Sequence, residues 1–308
     1  MKCYAAWNPS QQDRKGSASG GVATLLARRV LRSGGVYFGT RWNNDMQPVV
    51  AWTETDPEPF RGSRYVQPSF GAQARTALEG FLAAGRTVLF VGIPCQVASL
   101  QKLKQEYGDR LLCVDLLCHG TTEAAFLAEE VRFLSKGARV SDIRFREGAR
   151  FRMSVLGEEK CLWARDARWS PYLYGYLSGI TLREACFRCP FACPERTGDL
   201  TLGDFIGLPG GVSFAWPHTP EGERLLGECG AVMEEHPAEE RFSYRPGILE
   251  ASARPSEASG FRARIAAGQP FHKAIRRTLL PYFLLLPFRL GWKWLHHKAH
   301  LLRRRLCF

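Results

Sequence analysis

No stretch of the chain reaches the roughly 18 uninterrupted apolar residues that a membrane-spanning helix needs, so a transmembrane anchor is not expected. The opening residues, MKCYAAWNPSQQDRKGSASGG, hold no long apolar segment of the secretory-signal kind. No G-x-G-x-x-G follows a strand-like run, which excludes the usual dinucleotide fingerprint. There is no internal repeat and no low-complexity tract. Acidic residues are missing from His272 onward, where nine Lys or Arg fall. Those nine account for most of the net charge of +12, so the first 271 residues are close to balanced. A near-neutral body argues against a specific nucleic-acid binder.

What is present suits one large or two modest folded domains: 308 residues, 45% of them hydrophobic. Ten cysteines without a signal point to a reducing compartment, so a cytoplasmic protein is expected. The basic end, AIRRTLLPYFLLLPFRLGWKWLHHKAHLLRRRLCF, has prolines at 281 and 287 that should break a long helix. Cations beside Trp292 and Trp294 fit a segment lying on an anionic membrane surface. A helix docked on the core and an RNA-holding arm are its alternatives.

Strand-like and helix-like runs alternate along the body. VATLLARRVLRSGG has apolar residues at helical spacing, with Ser19 as the expected N-cap and Gly34 and Gly35 as the stop. VYFGTRW and PVVAWTE read as strands, GSRYVQP as a polar loop and ARTALEGFLAAG as a helix. TVLFV is a buried strand, followed by a turn at Gly92 and Pro94 and a helix from Gln96. RLLCVDLLCHG repeats that shape, DIRFRE and FRMSVLG form a strand pair, and DLTLGDFIG is a further strand. SPYLYGYLSGITLREA is expected to be a helix leading into a cysteine cluster. The pattern implies an α/β fold: a mixed, largely parallel sheet flanked by helices, a cysteine-rich segment, and a basic helical tail. Expected units are 1–211, a variable extension over 212–271, and the tail over 272–308. Ligands of such sheets sit beyond the carboxyl ends of the strands, where Cys95 and Cys118 both fall.

The segment ACFRCPFACP places Cys186, Cys189 and Cys193 at the spacing of the last three cysteines of a bacterial ferredoxin run, with Arg183 where the first would stand. No second C-x2-C and no paired histidines follow, as structural zinc sites usually have. Cys186 and Cys189 therefore read as metal ligands. Cys113, Cys161 and Cys229 read as core residues, and Cys3 and Cys307 as idle. By pattern alone Cys95 and Cys118 stand evenly between the two roles. Asp204 reads as a turn cap first and as a residue near a bound cofactor second, and His119 as a structural residue or a hydrogen-bond donor to a cluster or substrate.

SASGG, GSRYVQP, GIPCQVASL, VDLLCHG and CFRCPFA followed by DLTLGDFIG occur in the order found in the coenzyme F420 hydrogenase/dehydrogenase beta-subunit family. The chain resembles that family from about Cys3 to Gly207. The resemblance implies FAD and a [4Fe-4S] cluster, with electrons passing between a ferredoxin-like or hydrogenase-like protein and a small-molecule substrate. It implies cluster ligands at Cys95, Cys118, Cys186 and Cys189, with Cys193 as the alternative ligand. It implies flavin contacts in the glycine-rich loop (Ser17, Ser19, Gly20, Gly21) and the polar loop (Ser63, Arg64, Tyr65, Gln67). Gly92, Pro94 and Gln96, around Cys95, would line the flavin edge. Physically, the opening of a helix suits a diphosphate, Arg64 offers a fork for phosphate oxygens, and Tyr65 offers a ring to pack on. Ile93, Pro68, the CHGTTE run and FREGARF depart from the family pattern on the expected substrate side, so F420 or another acceptor, including one in polysaccharide biosynthesis, is the expected substrate. Relatives with a leading ferredoxin domain imply that this chain's electron donor is another protein. A non-catalytic iron–sulfur or zinc scaffold at the membrane is the alternative from another class.

Overall fold

VLFVG, Val88–Gly92, is apolar and buried at every position, as expected of a strand covered on both faces of a parallel sheet. Leu89 and Val91 enter one core, Val88 and Phe90 another. The same alternation holds in the next strand, where Leu112 and Val114 face the first core and Leu111 and Cys113 the second. Each such Leu, Val or Phe contributes about 1.5–3 kcal/mol on burial.

A computed structural model of the chain describes residues 2–148, 150–205, 208, 211–237 and 250–286. Its strands are β1 (Lys2–Trp7), β2 (Val36–Trp42), β3 (Pro48–Thr53), β4 (Val88–Gly92), β5 (Leu111–Leu116), β6 (Asp142–Glu147), β7 (Arg150–Leu156), β8 (Cys161–Asp166), β9 (Leu200–Asp204), β10 (Ser213–Pro217) and β11 (Val232–Pro237). The helices are α1 (Gln11–Lys15), α2 (Val22–Arg32), α3 (Ala72–Ala83), α4 (Pro94–Ala98), α5 (Gln101–Tyr107), α6 (Ala124–Ser135), α7 (Pro171–Leu177), α8 (Pro220–Glu228), α9 (Ser256–Ala266) and α10 (271–286).

Eight strands form one mixed sheet in the order β11-β1-β10-β9-β5-β4-β2-β3. Its centre, β2-β4-β5-β9, is parallel, and the outer pairs are antiparallel. Helices α2 and α8 cover one face; α3 and the α4–α5 region cover the other. The long connection from β5 to β9 carries a separate antiparallel sheet, β6-β7-β8, and the cysteine segment. A third core lies between that small sheet and helices α6, α7, α9 and α10.

The α/β architecture with a mixed sheet is thus the one the alternating runs imply, and several local features differ. KCYAAW, unassigned from sequence, is β1, and Cys3 on it is fully buried beside Phe205, Phe214 and Trp216. Residues 213–237, where the pattern is weak, add β10, α8 and β11 to the main sheet. Ser19 does not cap α2: the cap is Gly21 at φ 78°, while the Ser19 hydroxyl meets that of Ser213 at 3.0 Å. The helix before the cysteines ends at Leu177 because Gly179, at φ 82°, reverses the chain. Cys161 is exposed on β8 rather than in a core.

The expected membrane tail is, over 272–286, part of α10, and the helix runs through Pro281 instead of breaking there. Phe271, Ala274, Ile275 and Leu279 bury one face of it, and Arg276 donates to both carboxylate oxygens of fully buried Glu130 at 2.8 and 3.0 Å. Tertiary packing therefore outweighs the hydrogen bond that proline removes. Residues 287–308 of the tail lie outside the described residues.

Candidate functional site

The carboxyl ends of the parallel strands open on a cavity of about 390 Å³, within the usual range for small-molecule sites. Gly92 and residues 116–118 and 202–204 line its floor. The first turn of α2 forms one wall, through Val22, Ala23 and Thr24. No side chain caps that turn, so its N–H groups face space suited to an anionic group. Gly20 lets the preceding loop lie against β1 and β10, because a Cβ there would stand 2.3 Å from the Ala6 carbonyl oxygen. Its N–H donates to the Ser213 hydroxyl at 3.0 Å.

The opposite wall is the polar loop and a stack of rings. Tyr65 lies on Tyr176 with centroids 4.7 Å apart and planes 14° from parallel. The Arg64 guanidinium donates to the carbonyls of Pro59, Phe60, Arg61 and Gly62 at 2.9–3.1 Å. It thus shapes the loop it stands on, and burial lowers its pKa to about 10, still protonated at neutral pH. Arg146, from the small sheet, donates to Asp204 at 2.9 Å and to the Tyr65 hydroxyl at 3.2 Å, and its guanidinium carbon lies 4.1 Å from the Phe151 ring centroid. Asp204 is therefore an ion-pair partner at the cavity rim, where the sequence offered a turn cap first and a place near a cofactor second.

Of the residues expected around a flavin, Ser17, Ser19, Gly21, Ser63, Arg64, Tyr65 and Gly92 line the cavity. Gly20, Gln67, Pro94 and Gln96 are not part of its lining. Gln67 accepts from the Thr121 hydroxyl at 2.6 Å. Buried Gln96 accepts from the Ile93 N–H at 3.3 Å and holds the turn that presents Cys95. Phe151, Tyr176 and Arg146 escaped sequence reasoning. Their only local signal is an aromatic or cationic residue in a strand or helix, which many surface residues share.

Cys118 closes the cavity floor and begins a second feature. The thiols of Cys186 and Cys189 act electrostatically on those of Cys95 and Cys118. Burial, then the neighbouring sulfurs, pushes Cys95 up; burial pushes Cys118 up to about 12. The Arg183 charge opposes this at Cys95, so the residue standing where the first cysteine of the ferredoxin run would be acts on that thiol. The Gly120 N–H points at the Cys118 sulfur, and the Thr121 N–H donates to the Cys186 sulfur at 3.5 Å. Only glycine fits at 120: φ is +131°, and a Cβ would lie 2.8 Å from Leu182 and 3.1 Å from the Cys186 Cβ.

Cys193 is turned into its own loop, its sulfur meeting the carbonyls of Pro190 and Glu195 at 3.4 and 3.3 Å. His119 is directed at Tyr176 instead of the sulfurs, with its Nε2 3.4 Å from the Tyr176 carbonyl and its pKa lowered by burial. Cys113 and Cys229 are buried core residues. Among the described residues, no three His, Cys, Asp or Glu side chains converge as a single-ion site requires. The Cys118 and Cys186 sulfurs each receive a backbone N–H, and soft thiolates with such donors are the kind of ligand that iron–sulfur groups use.

Residues 85–240 match the sequence model of the family described as the C terminus of the coenzyme F420 hydrogenase/dehydrogenase beta subunit. No curated protein matches the chain. Among solved structures, a chain of the xenon-derivatized F420-reducing [NiFe] hydrogenase complex from Methanosarcina barkeri shares the fold, with a TM-score of 0.55 at 20% identity. The likeness covers 78% of this chain and 83% of that one.

Proposed function

The chain belongs to the coenzyme F420 hydrogenase/dehydrogenase beta-subunit family, and from that premise we propose that it is a flavin- and [4Fe-4S]-dependent oxidoreductase subunit. The observation that carries the reading is the span 118–121. It closes the floor of the cavity and also supplies N–H groups to the sulfurs of the cysteine group. A redox group in the cavity and another on the thiols would therefore be separated by one short loop. When bound, a flavin exchanges electron pairs with a small molecule and single electrons with a cluster.

The chain's residues have separable tasks. The uncapped turn of α2 holds a diphosphate. Tyr65, Tyr176 and Phe151 form an apolar wall that keeps water from the reacting ring. The Arg146–Asp204 pair ties the small sheet to the end of β9 and fixes the cavity mouth. Cys95, Cys118, Cys186 and Cys189 hold the iron, and the Gly120 and Thr121 N–H groups tune it through hydrogen bonds to sulfur. Cys95 is exposed, so a ferredoxin-like or hydrogenase-like partner reaches the cluster there. The substrate is F420 or another small acceptor, including one in polysaccharide biosynthesis.

Protein purified without oxygen is expected to carry about four irons and one flavin per chain, read by iron, sulfide, zinc and flavin assays on one sample. Zinc without flavin would replace this reading with a non-catalytic scaffold.

No described helix is long and apolar enough to cross a membrane. We extend the proposal to the tail: α10 exposes Leu280, Leu284 and Leu285, and the sequence from 287 on adds six Lys or Arg and two Trp with no acid. Peripheral contact with an anionic membrane follows from that composition. Deleting residues 287–308 should abolish co-sedimentation with phosphatidylglycerol vesicles while sparing the α10 packing; undiminished binding ends the idea.

A further inference from the structure

Helix α10 is apolar on the side it buries and, over its second half, on the side it exposes as well. Lys273, Arg277, Leu280 and Leu284 are all exposed. Steps of four, three and four residues set them in one stripe along the helix. The first two are cations and the last two leucines. Leu284 is 64% exposed, the most of any large hydrophobic side chain among the described residues. A helix apolar on two sides has a second surface to meet.

The neighbours of α10 widen the stripe. Trp169, just after β8, is exposed, and its ring lies on that of Phe283 with centroids 6.5 Å apart and planes 12° from parallel. Phe133, on α6, is exposed beside the first half of the helix. Its ring stacks on His272 at 4.3 Å, and the Arg276 guanidinium carbon lies 4.6 Å from its centroid. Of the eight exposed large hydrophobic side chains among the described residues, five are therefore on α10 or stacked against it. Exposed apolar residues scattered singly need no explanation, but a cluster of them marks a surface that meets something.

Charge decides what that is. Residues 271–286 contain no Asp or Glu, and the sequence runs on to 308 without one. Among the described residues, Lys273, Arg277 and exposed Arg168, next to Trp169, have no carboxylate partner. An isologous contact with a second copy would press these cations against a helix that has no acid to offer. An anionic bilayer supplies what both halves of the stripe lack. Its phosphates meet the cations, whose long stems lie along the surface, and its acyl chains take the leucines and Trp169.

We propose that the folded body carries its own membrane-docking face, the exposed stripe of α10 with Trp169, which lies on anionic phospholipid with Leu280, Leu284 and Trp169 below the headgroups. The proposal rests on the peripheral reading of the tail for the kind of surface. It adds a rigid element to that reading, so the body is held in one orientation instead of being tethered by 287–308 alone.

The test is co-sedimentation of the full chain with phosphatidylglycerol vesicles and with phosphatidylcholine vesicles, at about 0.1 M salt, where charges beyond roughly 10 Å are screened. The anionic vesicles should bind more strongly. Leu280→Ser/Leu284→Ser should weaken that binding about tenfold or more, and Lys273→Glu/Arg277→Glu about tenfold or more. Trp169→Ala should weaken it too. Val232→Ser and Arg32→Glu/Arg224→Glu, which make the same kinds of change at exposed positions on β11, α2 and α8, should leave it unchanged. Circular dichroism and the urea midpoint of each variant confirm that the fold is kept. Equal binding to both vesicles, or equal loss in the controls, overturns the proposal. So does a dimer, seen by light scattering, that Leu280→Ser/Leu284→Ser dissociates, which would give the face to a second copy. Face variants that bind as well as the unaltered chain, while deletion of 287–308 abolishes binding, condemn the face and leave the tail. Weakening by the face variants, with no effect of the deletion, condemns the tail and leaves the face.

Discussion

Cys186→Ser is expected to purify with under about one iron per chain, against the about four expected of the unaltered protein. The serine oxygen is hard and its hydroxyl stays protonated, whereas iron–sulfur clusters are held by soft thiolates. Cys186 also meets the loop that carries Cys118. Its sulfur receives the Thr121 N–H at 3.5 Å, and its charge acts on both Cys95 and Cys118. Losing it removes a ligand and unties the 118–121 loop from the cysteine segment. Cys193→Ser provides the contrast. That sulfur only meets carbonyls of its own loop, so iron content should not change. Iron retained in the first variant, or lost in the second, would invert the ligand assignment. Circular dichroism on each sample separates ligand loss from misfolding.

Arg196→Met is expected to cost about 3–5 kcal/mol of stability, read as a lower urea midpoint at unchanged slope. Asp115 lies near the carboxyl end of β5 and is fully buried. It accepts from Arg196 Nε at 3.1 Å and Nη2 at 2.5 Å, from the Thr201 hydroxyl at 2.8 Å and from the Gly198 N–H at 3.2 Å. The Arg196 side chain is 2% exposed, so its removal strands a carboxylate where water does not reach. Asp115→Asn combined with Arg196→Met should recover part of the loss, because no charge then remains unpaired. Arg196 Nη1 also donates to the Phe191 carbonyl at 3.1 Å. The pair therefore pins the segment after Cys189 to the strand that leads to Cys118, and iron content should fall along with stability. A loss below about 1 kcal/mol, typical of an exposed pair, would show that the site solvates.

Neighbouring residues of the cysteine site differ in how visible they are along the chain. Cys186 and Cys189 declare themselves by spacing, because both sit within one short turn and local geometry suffices to aim them. Cys95 and Cys118 do not. Each lies just beyond the end of a strand, and only the parallel pairing of β4 with β5 sets those ends side by side. Cys193 has the right spacing but the wrong direction, since its loop closes on its own carbonyls. In the cavity, Gly21 and Arg64 belong to loops whose composition marks them, whereas Phe151 and Tyr176 come from elements that sequence assigns only to packing.

The sequence by itself determined the alternation of strands and helices, the apolar faces of each, the two-cysteine motif and the glycine-rich entry to α2. These rest on periodicity and on interactions within a few residues. Tertiary structure alone decided that β1 and β10 complete the sheet, that Asp115 meets Arg196, and that the 118–121 loop beside the cavity meets Cys186. Periodicity reports that a face is buried or exposed; which surface it meets is set by strand order and by contacts between residues far apart in the chain.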